Sequence, residues 1–235
     1  MTSKLLAIGG VLGLVILTGC GGPEEQAPLP DEIADFDQLY QANCSGCHGQ
    51  DGRGQGPQLN DPVYQALIPK EMLQKVIVSG RPGTPMPAFG KSAGGSLTDQ
   101  QIQILVDGMQ KNWGKPGEFA GVSLPPYSTT EAGDVSRGAI VFQSHCSPCH
   151  GRDGRGAAVA GSVVDPSYLA LATDQLLRTT VITGRRLFGM PDWQHSPGKP
   201  LQPQEITDVV AWLISHRTPP ALSASVPEQK GATQP

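Results

Sequence analysis

Aromatic residues supply only 5% of this 235-residue chain. A core packed mainly from large rings is therefore excluded, and thirty glycines with twenty-two prolines point to much loop and little conventional core per residue. A large flat apolar body held inside the fold could supply what the side chains do not. Long apolar runs are also missing. The conspicuous one, Leu5 to Leu17, is apolar apart from its glycines and covers thirteen residues, short of the roughly 20 that a membrane-spanning helix needs. There is no basic stripe either. Residues 21 to 43 hold Glu24, Glu25, Asp31, Glu32, Asp35 and Asp37 with no Lys or Arg, and from residue 44 onward fifteen acids face sixteen bases. A net charge of −4 distributed in this way argues against nucleic acid as a partner. Cysteine is scarce too. Of five, four fall into two C-x-x-C pairs and Cys20 stands alone, so none is left for a disulfide between domains.

What is present is one piece of chemistry written twice. Cys44-Ser45-Gly46-Cys47-His48 and Cys146-Ser147-Pro148-Cys149-His150 share the pattern C-x-x-C-H. Two thiols one turn apart can form thioethers to the two vinyl groups of a haem, and the adjacent imidazole can then reach the iron. Cys44, Cys47, Cys146 and Cys149 are thus the candidate anchors, and His48 and His150 the candidate axial ligands, of two covalently bound haems c. A structural zinc site wants its C-x-x-C halves roughly 15–20 residues apart, whereas these are separated by 102 residues, from 44 to 146. Paired redox disulfides are the alternative for C-x-x-C in an exported protein. The His following both copies argues against them.

The chain is its own template. Matching His48 to His150, an offset of 102, aligns Gly49, Asp51, Gly52, Arg53 and Gly54 with Gly151, Asp153, Gly154, Arg155 and Gly156. At offset 104, Asp61-Pro62-Val63-Tyr64 meets Asp165-Pro166-Ser167-Tyr168, Gly80-Arg81 meets Gly184-Arg185, and Met86-Pro87 meets Met190-Pro191. Such a repeat predicts two domains of similar fold, residues 33–113 and 133–217. The Gly- and Pro-bearing linker 114–132 is expected to lie over the surface of one of them. The tail 218–235 reads as flexible. Within each unit the periodicity is helical. Gln38 to Asn43 and Gly138 to His145 lead into the Cys motifs, while Lys70 to Ser79 and Thr173 to Thr183 stop at Gly80 and Gly184. The last helices open at Thr98, with Gln101 completing a capping box, and at Pro203. The expected fold class is all-α.

The repeat also selects a ligand for the second face of each iron. At offset 104 Met72 aligns with Leu176 and Met109 with Leu213, so both read as helix core. Met86 alone aligns with another methionine, Met190, and both sit beside prolines that fix the backbone. His145, His195 and His216 do not repeat, and His195, five residues beyond Met190, is the rival ligand. A neutral sulfur favours ferrous iron, and filling the sixth position leaves outer-sphere electron transfer as the chemistry.

On these residues the chain resembles class I c-type cytochromes, with C-x-x-C-H near the start of each unit and a Met in a Pro-containing loop before the last helix. It is most similar to their tandem, dihaem members. The resemblance implies a small helical fold closing around each haem. It also implies propionate contacts from Tyr64, Arg81, Tyr168 and Arg185, the arginines having solvated helix-end charges as their alternative. Separately, Leu17-Thr18-Gly19-Cys20 resembles the lipobox of bacterial lipoproteins. That implies removal of residues 1–19, lipid on Cys20, an acidic Pro-rich tether over 20–32, and an exported protein anchored to a bacterial membrane on its periplasmic side. The implied function is electron transfer between respiratory or photosynthetic redox proteins or membrane complexes, with no small-molecule substrate and no enzyme activity of its own. A fixed cytochrome subunit of a larger quinol-oxidising, oxidase or dehydrogenase complex is the first alternative. A dihaem peroxidase is the second, and the two loop methionines argue against the open iron it needs.

Overall fold

The computed structural model describes residues 29–54 and 57–218. The expected leader, Cys20, most of the acidic tether and the tail from 219 lie outside the described residues. Among those described, ten α-helices run in chain order: α1 (Phe36–Asn43), α2 (Ser45–His48), α3 (Pro62–Leu67), α4 (Lys70–Ser79) and α5 (Asp99–Trp113), then α6 (Val135–His145), α7 (Ser147–His150), α8 (Pro166–Leu171), α9 (Asp174–Thr183) and α10 (Pro203–Ser215). The second five repeat the first five. Extended backbone among the described residues is limited to isolated bridges, and the fold is all-α in two tandem units.

The same local signals start matching helices. Asp35 accepts a hydrogen bond from the Gln38 amide ahead of α1, and Asp134 accepts one from Arg137 ahead of α6. Such caps contribute about 1 kcal/mol each. The repeated Asp-Pro-x-Tyr has the same explanation. Asp61 accepts from the Val63 and Tyr64 amides, Asp165 from those of Ser167 and Tyr168, and the proline takes the first helical position, where no amide is needed. Each tyrosine is therefore set at the third position of a short helix. Thr98 and Gln101 form the expected capping box, and Pro203 opens α10.

In each unit the first helix crosses the last, and the two crossings are packed by exchanging large for small. Phe36 on α1 lies over Gly108 on α5, where a Cβ would fall 2.1 Å from the ring. Gly138, the counterpart of Phe36, lies instead under Trp212, the counterpart of Gly108, and a Cβ on Gly138 would meet the Asp208 carbonyl at 2.0 Å. Unit 1 then draws its tryptophan from five residues further along the last helix: Trp113 packs edge-on against Phe36 and Tyr40 at 5.8 and 5.2 Å. In unit 2 Trp212 stacks on Phe142 at 4.0 Å. Both indoles reach the same repeated glycine, Gly52 or Gly154. Burying such a ring contributes about 1.5–3 kcal/mol, a large share of a core so poor in aromatics.

The linker is more than a surface strand. It contains a 3-10 turn at Pro116–Phe119, and Pro125 and Tyr127 are buried. Gln175 and Arg178 on α9 donate hydrogen bonds to the Tyr127 and Pro126 carbonyls. Unit 1 meets unit 2 where α3 packs against α9, and Arg186 forms an ion pair with Asp61 at 2.9 Å.

Candidate metal centres

Each C-x-x-C-H begins where a helix ends. Cys44 and Cys146 close α1 and α6 with nearly the same backbone angles (φ −119, ψ −35 and φ −113, ψ −34) and open the single-turn helices α2 and α7. The His48 amide bonds to the Cys44 carbonyl at 2.9 Å, and the His150 amide to that of Cys146 at 3.0 Å. Positions i, i+3 and i+4 of one turn share a face, so two thiols and an imidazole converge there. Gln41 and Gln143 brace both turns. Each donates from its side chain across to the Gln50 or Arg152 carbonyl, and each offers its own carbonyl to Ser45 or Ser147. These glutamines repeat at offset 102 and were detectable by the alignment that found the histidines.

The four thiols are unpaired. Burial pushes the Cys44 thiol up to about 11 and the Cys146 thiol up to about 12, the latter with a smaller contribution from Cys149. Thiol exchange and zinc binding need thiolates, whose sites lower this value, so the microenvironment runs against both. His48 is held below the ordinary imidazole range, first by burial and then by the Arg81 guanidinium, which keeps it neutral, the ligating form. In unit 2, His150 Nδ1 lies 3.0 Å from the Gly161 carbonyl, which fixes the ring and turns Nε2 away from the backbone. Pro57 is the residue at the matching place in unit 1. There His48 Nδ1 is buried and the Pro57 carbonyl faces it, in a contact short of full hydrogen-bond geometry.

The methionine loops are closed by a repeated glycine. α4 ends at Gly80 (φ 64) and α9 at Gly184 (φ 67). A Cβ at Gly80 would lie 2.4 Å from the Pro87 carbonyl carbon, and one at Gly184 2.4 Å from the Pro191 oxygen. Only glycine tolerates both the angle and the approach, so the proline after each methionine folds back onto the helix end. The Arg81 amide then bonds to the Met86 carbonyl at 3.0 Å and the Arg185 amide to that of Met190 at 2.9 Å. Thr84 bridges the interior of the first loop, between Arg81 and Met86, while a 3-10 turn, Arg186–Phe188, fills the second. Arg and Met are thus joined at the neck of each loop, and in unit 1 the same Arg81 lies near His48.

Tyr64 is buried, with its phenol beside Arg81 and near Tyr127, and its ionisation is pushed up mainly by burial. Tyr168 is half-buried beside Arg185. Arg185 has a buried Nε without a partner and lies over the Phe188 ring at 5.0 Å. The unpaired buried Nε of Arg185, the raised Cys44 and Cys146 thiols and the His48 imidazole with its buried Nδ1 fit a haem with its carboxylates near the arginines. The remaining histidines are engaged elsewhere. His195 is exposed and bound to Asp192 at 2.7 Å, His145 meets Ser196 at 2.9 Å, and His216 packs on Trp212 and its carbonyl. Met109 is buried in the core and Met72 half-buried against it. Tyr127, outside the repeat but within electrostatic reach of Tyr64, is a residue that alignment of the two units could not find.

Comparison with known proteins gives the same reading of the fold. The family model described as cytochrome C oxidase, cbb3-type, subunit III matches residues 31–107 and again 133–213. A cbb3-type cytochrome c oxidase subunit CcoP from Azospirillum sp. (strain B510) is 32% identical over 134 residues, 52% of this chain and 40% of that protein. A cbb3-type subunit FixP from Bradyrhizobium sp. (strain ORS 278) is 28% identical over 167 residues, 66% of this chain and 52% of that one. A cytochrome bc1 complex cytochrome c subunit from Corynebacterium efficiens is 27% identical over 237 residues, 90% of this chain and 74% of that protein. The match therefore takes in about half or less of the two cbb3-type relatives. No helix among the described residues is long and apolar enough to cross a membrane. Matched twice by one model and built of two like helical units, the chain belongs to the cytochrome family of cbb3-type oxidase subunit III, as a tandem class I c-type cytochrome.

Proposed function

We propose that the chain is a dihaem electron-transfer cytochrome. The observation that carries this is the duplicated constellation: in both units a helical turn presents Cys, Cys and His on one face, and a glycine-hinged loop joins an Arg to a Met by backbone bonds. Cys44 and Cys47 would anchor one haem c, and Cys146 and Cys149 the other. His48 with Met86, and His150 with Met190, would hold the irons. Tyr64 and Arg81, and Tyr168 and Arg185, would meet the propionates. Bound there, haem supplies a reversible one-electron ferric/ferrous couple. The protein's part is to hold its ligands still. Burial keeps His48 neutral and Gly161 orients His150, while the Met86 and Met190 sulfurs would favour ferrous iron and would leave no position for peroxide. The prediction is that Met86→Ala and Met190→Ala each abolish the sulfur-to-ferric-iron charge-transfer band of one haem. An unchanged spectrum from both variants would sink the ligand assignment.

The electrons would pass between membrane complexes of the respiratory or photosynthetic kind, with the chain tethered through lipid on Cys20. A fixed-subunit role has its own support, because the relatives are named as subunits of cbb3 oxidases and of a bc1 complex. Stable co-purification with a complex favours the subunit, and turnover of the isolated protein as a freely diffusing donor favours the carrier.

A further inference from the structure

Tyr127 belongs to the linker, outside both repeated units, yet it is only 5% exposed and its phenol oxygen is buried without a hydrogen-bond partner. A buried hydroxyl left unpaired is costly, so its surroundings should hold an acceptor. The backbone at this point is fastened to unit 2. Gln175 Nε2 donates to the Tyr127 carbonyl at 2.7 Å, and Arg178 donates from Nε and Nη2 to the Pro126 carbonyl at 3.2 and 3.0 Å. Arg178 is itself buried and spends Nη1 on Thr207 at 3.0 Å. Unit 1 packs against this part of unit 2 through α3, the helix that carries Tyr64, which meets α9. There the neighbour of Tyr127 is the buried Tyr64 phenol, with the Arg81 guanidinium beside the Tyr64 hydroxyl and close to His48. Two phenols and a guanidinium therefore lie within electrostatic reach of one another, in pairs, on the side of unit 1 that carries a candidate iron ligand. All three are donors, and such a cluster recognises an anion with several free lone pairs.

We propose that Tyr127 is a third ligand to a propionate of the unit 1 haem, carried into that unit's crevice by a linker fastened to unit 2. The proposal rests on the haem reading above and adds a residue and an asymmetry to it. At the repeat's offset of 104 Tyr127 meets Gly231, so this tyrosine does not repeat. The electrostatic setting of the first haem then depends on the seating of the second unit. A propionate that loses a donor keeps more of its negative charge, which stabilises ferric iron, so removing the hydroxyl lowers the potential of that haem.

The test is a spectroelectrochemical titration of full-length holoprotein carrying Tyr127→Phe, with haem content measured on the same sample and the unit 1 haem identified through Met86→Ala. The change deletes one oxygen and keeps the ring, so packing is retained. The expected result is two bound haems, a lower potential for the unit 1 haem and an unmoved unit 2 haem. Gln175→Ala, which releases the Tyr127 backbone from the opposite unit, should move the unit 1 haem in the same direction by less. Two bound haems with both potentials unmoved, or a shift confined to the unit 2 haem, would overturn the role of Tyr127 and leave the haem reading standing. Wild-type protein that carries no haem would overturn both.

Discussion

Replacing Gly184 by alanine should separate the geometry of the methionine loop from ordinary backbone strain. Gly184 has φ +67, and an added Cβ would fall 2.4 Å from the Pro191 oxygen, 2.5 Å from its carbonyl carbon and 2.7 Å from the Asp192 nitrogen. With ψ −167 the backbone lies in a region essentially restricted to glycine, which costs an alanine about 1–3 kcal/mol. The overlap is with backbone atoms that cannot rotate away, and forcing a methyl into such a gap costs about 1–3 kcal/mol more. The sum, about 2–6 kcal/mol, should lower the unfolding midpoint of a unit of this size by on the order of 10 °C or more. It should also push Pro191, and with it Met190, away from the helix end. Gly198 is the built-in control, since it has φ +85 and nothing within 4 Å of its would-be Cβ. Gly198→Ala therefore carries the angular cost alone. The assay is thermal unfolding followed by circular dichroism, together with the charge-transfer band of the oxidised protein. Gly184→Ala should weaken or abolish the band of one haem while Gly198→Ala leaves it intact. Equal destabilisation by the two changes, with the band unaffected, would refute the claim that Gly184 closes the loop.

Three further outcomes follow from the packing and the charges. Gly138→Ala places a methyl 2.0 Å from the Asp208 carbonyl and 2.8 Å from the Trp212 Cβ, so it should destabilise unit 2 by about 1–3 kcal/mol, read by denaturant unfolding. Asp208 is buried and accepts bonds from Arg137, Gln204 and the Asp134 amide, and Arg137 above all holds its carboxyl below the usual range. Its stabilisation is thus present above the unfolded value near 4 and is lost as pH falls through the lowered one. Asp208→Asn should cost about 1–3 kcal/mol at neutral pH and flatten that acid limb. Arg186→Ala breaks the ion pair with Asp61 but spares the Asp61 cap of α3. With Arg186 nearly half exposed, the loss should be about 1 kcal/mol or less, seen as faster amide exchange in the linker near Tyr127.

The duplication made most of the fold legible. Both C-x-x-C-H turns, the capped Asp-Pro-x-Tyr helices and the Gly-Arg to Met-Pro loops could be read because each constrains the backbone in the same way twice, and aligned positions kept their residue types. The features that escaped are those the two units solve differently. The helix crossings exchange Phe36 and Gly108 for Gly138 and Trp212, so only the pair, never either position alone, is preserved. Trp113 and Trp212 reach equivalent glycines from different turns of their helices, which no fixed offset aligns. Tyr127 has no counterpart at all. Its one signal was an aromatic residue in a Pro-bearing linker of a chain otherwise short of aromatics. Asp208 sits on the buried side of α10, where helical periodicity assigns apolar residues, and only the fold supplies the Arg137 that makes it tolerable there.

In the proposed function, two like units would each hold one His/Met-ligated haem c that moves electrons. An optical redox titration of the intact, purified protein tests it most directly. Two c-type haems should titrate as one-electron centres, both with the sulfur-to-iron band when oxidised and neither binding carbon monoxide when reduced. A single haem, or a native reduced haem that takes up carbon monoxide, would contradict it.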